Sequence, residues 1–308
     1  MRRLLAAALV PLSLLPFAAV VPIVRDSRER YVRAHQMGPL PAPPSGLTAA
    51  ERARFRPLPP ARGRVPVLVW PRVTDARAFG RTLALLRHLG YHSLSSADWA
   101  RFRAGAAVPP RSVLLTVDGG ELASYRRADA LLERFRMRAT MVVATGPVEA
   151  GDPAYLRWAE LRRMRASGRW DVEPAAHDGR RTITVDRSGR QAPFYTARRY
   201  TRSAGLETRA GWERRVAGDL FAVRDRFARQ GIAPHVLALP YGDVGRRTAN
   251  DPALPGLLSA LLTRQFGNWF TQAADPPFTT HGTGEAKRFQ VDPGTGLGDV
   301  YRWLKRKD

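Results

Sequence analysis

The 308-residue sequence predicts an α/β fold, either a layered sheet or a barrel. Its clearest sign is the stretch Arg111-Ser112-Val113-Leu114-Leu115-Thr116-Val117-Asp118-Gly119-Gly120. A continuous apolar run is the pattern of a strand buried on both faces. Ending it in a carboxylate and two glycines delivers an acid to the C-terminal edge of a sheet, where the sites of α/β folds gather. A helical stretch and a second apolar run, Ala139 to Ala144, then complete a β-α-β unit.

Composition narrows the function classes. The length suits one large domain or two small ones, and a hydrophobic content of 44% supports a substantial core. There is no cysteine, which excludes disulfides, zinc-thiolate sites and cysteine nucleophiles. The formal charge of +23 would ordinarily direct attention to an acidic partner. Yet Lys287, Lys305 and Lys307 are the only lysines, and arginine supplies the rest beside abundant Ala, Gly and Pro. That pattern reads as compositional drift in a GC-rich genome. No recognisable nucleic-acid motif accompanies the scattered arginines, so no specific nucleic acid is expected. Weak attraction to anionic wall polymers or lipid headgroups fits the charge.

Three regions follow in order. Residues 1–25 read as a signal peptide or a signal-anchor transmembrane segment: Met1-Arg2-Arg3 precedes the uncharged run Leu4 to Val24, close to the ~20 residues that span a bilayer. Pro11, Pro16 and Pro22 disfavour a straight helix, and no clear cleavage site marks the end. Residues 26–65 read as a Pro/Arg-rich linker with a helical turn near Thr48 to Arg54. Residues 66–308 hold the folded domain.

Within the domain, Pro66 to Trp70 reads as a short buried strand, followed by a helix from Asp75 to His88 and a short helix capped by Ser96. A helix over Glu121 to Phe135 leads to the strand Ala139 to Val143, and Leu156 to Ala166 forms an Arg-rich amphipathic helix. Residues 182–203 suggest an inserted hairpin and loop, and Glu207 to Gln230 a long helix. Val236 to Gly242 is a strand leading into a turn. A helix near Pro252 to Arg264, strands Asn268 to Gln272 and Lys287 to Val291, and a helix near Gly298 to Lys305 close the chain.

Several segments resemble the polysaccharide deacetylases that share the NodB homology domain. Thr116-Val117-Asp118-Gly119-Gly120 is similar to the family's T-F-D-D-G, and Arg138 to Val143 to its K-A-T-F-F-V strand. Leu156, Trp158, Leu161, Met164, Ser167 and Gly168 match L-x-W-x-x-L-x-x-M-x-x-S-G. Pro66 to Trp70 resembles a P-V-L-x-Y-H opening, Ala238 to Gly242 an F-A-Y-P-Y-G segment, and Arg288 to Val291 an L-P-R-I-x-V end. The resemblance covers roughly residues 66 to 291. It implies a distorted seven-stranded (β/α) barrel that removes N- or O-acetyl groups from a polysaccharide.

In that family the first aspartate of the motif is the general base, the second is a metal ligand, and two histidines complete the site. Here the first is Asp118 and the second is Gly119. The histidines fall in Asp171 to Arg181, which allows two registers. With His177 first in an H-x-x-x-H pattern, the second ligand falls on Arg181. Set against an H-T-H-D-G-H form, the ligands fall on Ala175 and Arg180, the register that also aligns Asp171-Val172 with the usual Glu-Val pair. Both break the triad, so no resident metal is expected, and a divalent ion such as zinc enters only through a rearranged site on Asp118, His177 and Asp178. Asp118 reads either as a base or as a strand-end carboxylate that caps a helix or binds a buried arginine. The backbone amide of Tyr241 is the resemblance's oxyanion donor. Trp70, His177 and Tyr241 are candidate substrate contacts, each with a plainer reading as a core, turn or rim residue.

Three functions are consistent with this. The expected one is a degenerate, exported, cell-surface copy that binds or helps process cell-wall or matrix glycan with weak or no deacetylation. The alternatives are an active hydrolase with a rearranged site and a membrane-tethered assembly factor.

Overall fold

The short strand β1 (Val67–Trp70) is buried at every residue and runs between two strands of the same kind, β3 (Ser112–Gly119) and β12 (Gly284–Gln290). The computed structural model describes Arg33, residues 37–246 and residues 248–306, and residues 40 to 308 group into one unit. The expected signal or anchor segment over 1–25 lies outside the described residues. Among the described residues no helix is long and apolar enough to cross a membrane.

The strands pair in the order β10 (Leu237–Ala238), β11 (Asn268–Ala273), β12, β1, β3, β4 (Ala139–Val143) and β5 (Trp170–Pro174), with every pairing parallel. A two-residue strand, β2 (His92–Ser93), adds to the start of β3. Helices cross between most consecutive strands, as parallel pairing favours, while residues 274–283 join β11 to β12 without one. The result is a nearly closed seven-stranded (β/α) barrel.

One seam lacks ladder pairing, and a side chain bridges it. Glu173 on β5 is 1% exposed and accepts from the His235 and Val236 amides at 2.8 and 3.3 Å, just before β10. Its other oxygen meets His235 Nδ1 at 2.9 Å. One carboxylate thereby takes over donors that a neighbouring strand would otherwise satisfy.

Period-two alternation sorts the strand residues. Val67, Leu114, Val142, Ala175, Val236, Ala238, Phe270 and Ala286 form one buried cluster with Trp99 and Phe102, which fills the barrel from below. By the same alternation Asp118, Gln272 and Arg288 share this inward face nearer the C-terminal strand ends.

The helices follow their sequence signals. α1 (Ala49–Arg54) opens on a capping box between Thr48 and Glu51. Asp75 caps α2 (Ala76–His88), and Ser95, one residue before the expected Ser96, caps α3 (Ser96–Arg103). α4 (Leu122–Phe135) buries Leu122, Ala128, Leu131 and Leu132, while a one-turn helix, α5 (Thr145–Glu149), follows β4. α6 (Trp158–Ala166) starts later than expected because Leu156 is extended and donates to the Gly120 carbonyl at 2.9 Å. The expected insertion is two hairpins, β6 (Thr182–Thr184) with β7 (Gln191–Pro193) and β8 (Tyr200–Thr201) with β9 (Gly205–Leu206). They pack beside α7 (Arg209–Arg229) and α8 (Leu254–Phe266); α9 (Leu297–Leu304) ends the described fold.

The stretch read as a linker is fixed to the barrel over much of its length. Leu47, Phe55 and Leu58 are buried, the Phe55 carbonyl bonds His88 Nε2 at 2.9 Å, and its ring meets Tyr301 at 5.0 Å. Around α1 this Pro-rich stretch is without regular secondary structure, and three widely spaced apolar residues give it a place to lie.

The seam makes a pH-dependent contribution. The hydrogen bond to Glu173 raises the His235 pKa above its usual 6.5 against partial desolvation. Stabilisation from a raised histidine is complete below its unfolded pKa and fades as pH rises through the folded one. Between about pH 6 and about pH 8 the melting temperature should therefore fall more in the wild type than in His235→Gln. Parallel melting curves across that range would show that the seam does not depend on the imidazolium.

Candidate functional site

Asp118 stands at the end of β3, in the mouth of the barrel, and faces Arg288 of β12. Arg288 Nη1 donates to Asp118 Oδ1 at 2.7 Å and Nη2 to Oδ2 at 2.9 Å, a two-pronged ion pair. The arginine is 0% exposed, and its guanidinium lies 5.2 Å from the centre of the Phe270 ring. Its Nη1 also donates to Thr116 Oγ1 at 3.2 Å, while that hydroxyl donates to the Leu68 carbonyl at 2.8 Å. Gln272 Nε2 adds a third donor to Asp118 Oδ2 at 3.3 Å. Asp118 binds a buried arginine, and both of its carboxylate oxygens accept hydrogen bonds.

Beyond Asp118 the chain turns through two left-handed residues, Gly119 at φ 106° and Gly120 at φ 77°. A side chain on Gly119 would project toward Arg180, whose Nη1 lies 3.5 Å from where its Cβ would sit. Arg180 is in turn tied to the turn after β10. Tyr241, at φ 62°, donates its hydroxyl to the Arg180 carbonyl at 2.5 Å. Gly242 packs so tightly on Gln272 that a Cβ there would come within 2.7 Å. The mouth is thus a ring of touching residues: Asp118, Gln272, Gly242, Tyr241, Arg180 and Gly119.

The loop carrying His177 is held from behind. Asp219 of α7 accepts from the His177 and Asp178 amides at 3.1 and 2.7 Å, and the Tyr195 hydroxyl donates to the same carboxylate. Burial and the adjacent Asp219 charge push the Tyr195 pKa well above its usual value, so the phenol keeps its proton to donate. Gly179 is required here, since a Cβ would fall 2.5 Å from the Tyr195 ring. His177 Nδ1 meets Thr145 Oγ1 at 3.0 Å, which holds its ring against α5, and its Nε2 lies 3.9 Å from Asp178 Oδ1.

The candidate substrate contacts separate. Tyr241 is 53% exposed and lines a cleft of about 900 Å³ with Gln272, Phe289, Gln290, Asp292 and Trp303. The cleft adjoins Asp118 through Gln272 but is not lined by Asp118 itself. Trp70 cannot line it: the ring is 4% exposed and sits edge-on to Phe79 at 4.9 Å, between β1 and α2. Alternation explains this, since Trp70 points outward with Leu68 while Val67 and Val69 point in. The expected contact is a core residue.

These residues do not fit a divalent cation. Among the described residues no three His, Asp, Glu or Cys side chains come together as ligands. One register offers Gly119, His177 and Arg181, the other Gly119, Ala175 and Arg180, and a guanidinium points at the Gly119 position in both. Positive charge at the ligand position opposes a metal ion. No reaction step is assigned to a metal here.

A parallel (β/α) barrel with a lumenal carboxylate at its mouth defines the class. A polysaccharide deacetylase family model matches residues 105–208. The Escherichia coli poly-beta-1,6-N-acetyl-D-glucosamine N-deacetylase is 26% identical over 182 residues, which span 54% of this chain and 27% of that protein. A de-N-acetylase from Aggregatibacter actinomycetemcomitans superposes with a TM-score of 0.67 at 18% identity, covering 78% of this chain and 100% of the other. The BpsB deacetylase domain from Bordetella bronchiseptica gives 0.64 at 21%, covering 77% and 98%. The chain is thus similar to the polysaccharide deacetylases over residues 105–208, and its fold is the NodB-type barrel.

Sequence reasoning named Asp118, His177 and Tyr241 but not Arg288, Gln272 or Asp219. Arg288 lay within the quoted Arg288 to Val291 segment, and alternation from Ala286 would have put it on the lumen face.

Removing one partner of a buried pair leaves the other charge stranded. Asp118→Ala should cost about 3 kcal/mol in urea unfolding, and the double change Asp118→Leu with Arg288→Met should recover most of it. Equal losses in both would mean that the pair is not the source of the stability. Asp219→Ala should leave the Tyr195 hydroxyl and two amides without an acceptor, costing about 2 kcal/mol or more. Hydrogen exchange should then speed up at His177 and Asp178; unchanged protection would remove Asp219 from its role as the clamp.

Proposed function

We propose that this protein binds a cell-wall or extracellular matrix polysaccharide outside the cytoplasmic membrane and does not deacetylate it by the metal-assisted route. The observation that carries this reading is the occupancy of the mouth by arginines. Arg288 takes both oxygens of Asp118, and Arg180 points at the position of the expected second acid. A carboxylate locked in a two-pronged pair has its most basic lone pairs engaged, which opposes a role in removing a proton from water.

Glycan binding is supported by the neighbouring cleft and the exposed ring of Tyr241, since sugar sites commonly combine an aromatic face with convergent polar groups. Similarity to polysaccharide deacetylases supports a polysaccharide partner. The basic start and apolar run of residues 1–25 support export, with the segment either cleaved or kept as an anchor. Poly-β-1,6-N-acetylglucosamine, the polymer in the name of the Escherichia coli relative, is the first glycan to try.

Oligomers of that glycan should bind by calorimetry, with Tyr241→Ala lowering affinity about tenfold. No acetate should be released, with or without added Zn²⁺, Co²⁺ or Ni²⁺. Metal-stimulated acetate release that Asp118→Asn abolishes would overturn the proposal in favour of a rearranged hydrolase.

A further inference from the structure

We propose that the cleft beside the barrel mouth selects a glycan carrying free amino groups, as a polymer of de-N-acetylated hexosamine does. This rests on the glycan-binding reading above and goes on to name the ligand's charge.

Two observations make the cleft a site before its charge is considered. It is an open depression of about 900 Å³, and Tyr241, 53% exposed, lines it. The ring is also held in place, because its hydroxyl donates to the Arg180 carbonyl at 2.5 Å. An exposed and fixed aromatic face suits a sugar ring, and it attracts a cation as well.

The lining sets the sign of the charge. Lysine and arginine outnumber aspartate and glutamate by 50 to 27 in the chain. The cleft reverses that balance: Asp243, Asp275, Asp292 and Asp299 line it, against Arg302 and Arg306. Both arginines are engaged. Arg302 Nη1 lies 3.2 Å from Asp299 Oδ1, and Arg306 pairs with Asp275. Asp243 and Asp292 remain, and neither forms an ion pair among the described residues. Arg246, which feels the charge of Asp243, is itself paired with Glu285. Asp292 accepts from the neutral Gln290 amide at 2.8 and 2.9 Å, so its charge is not offset. Both acids can be reached, since Asp292 is exposed and Asp243 half-buried.

An ammonium group matches this lining better than an acetamide. It brings a positive charge and three N–H donors, where the acetamide brings one N–H and no charge. A carboxylated glycan would be repelled by the same aspartates. The rest of the surface adds to the selection: with a formal charge of +23, the chain repels a polycation except where acids gather.

The test uses the full chain and calorimetry, with an oligomer of β-1,6-linked glucosamine and the same oligomer fully N-acetylated. The amino form should bind at least about tenfold more tightly, and its advantage should shrink as salt is raised. The double change Asp243→Asn with Asp292→Asn should bring the two affinities together, while Asp243→Glu with Asp292→Glu should keep part of the difference. Melting curves check that both variants fold, and the wild-type comparison stands without them. Equal binding by the wild type, or tighter binding of the N-acetylated form, would overturn the charge selection and leave glycan binding standing. An advantage that survives in the asparagine variant would overturn it too, because the cleft acids would not be its source. Failure of both oligomers to bind would overturn both readings.

Discussion

The barrel mouth is organised by the ion pair between Asp118 and Arg288. Its parts come from opposite ends of the domain: Asp118 from the third strand and Arg288 from the last, 170 residues apart. A fully buried guanidinium is costly without acceptors, and here Asp118 and Thr116 provide them for Nη1 and Nη2, while Nε has none among the described residues. The strands carrying Arg288 and Asp118 must therefore both settle against β1, which lies between them, before the charge can leave water. Gln272 joins the same carboxylate and is packed against Gly242, so the neighbouring turn is positioned by the pair as well.

A second carboxylate, Asp219, does for the loop what Arg288 does for the strand end. It collects two main-chain amides and a phenol, and so fixes the segment from His177 to Arg180 from behind. Glu173 plays a comparable part at the seam. In all three places, a side chain holds backbone or charge where the parallel ladder stops. That is a recurring need in a barrel that does not quite close.

Much of this was legible from residues alone. The apolar run ending in Asp118-Gly119-Gly120 located the mouth, and the helical stripes located the crossovers. Asp118 was readable as a partner for a buried arginine, but which arginine was not, because pairing across 170 residues depends on strand order. Trp70 failed as a groove residue for a local reason: a strand of four apolar residues shows no polar alternation to say which face points outward. The linker failed for a related one. Leu47, Phe55 and Leu58 are too widely spaced to form a periodic stripe, yet each finds a crevice along the helices.

The left-handed turn at Gly119 bears on the history such a site can have. Aspartate there would have to adopt φ 106°, a conformation rare for any residue with a Cβ, and would enter beside a guanidinium already in place. A single codon change at 119 thus meets a strained backbone before it can offer a ligand, and an arginine would still stand at Arg180 or Arg181 in either register. A three-ligand site on these positions would take more than one substitution. The left-handed turn thus favours a residue without a side chain at 119, next to the Arg180 guanidinium.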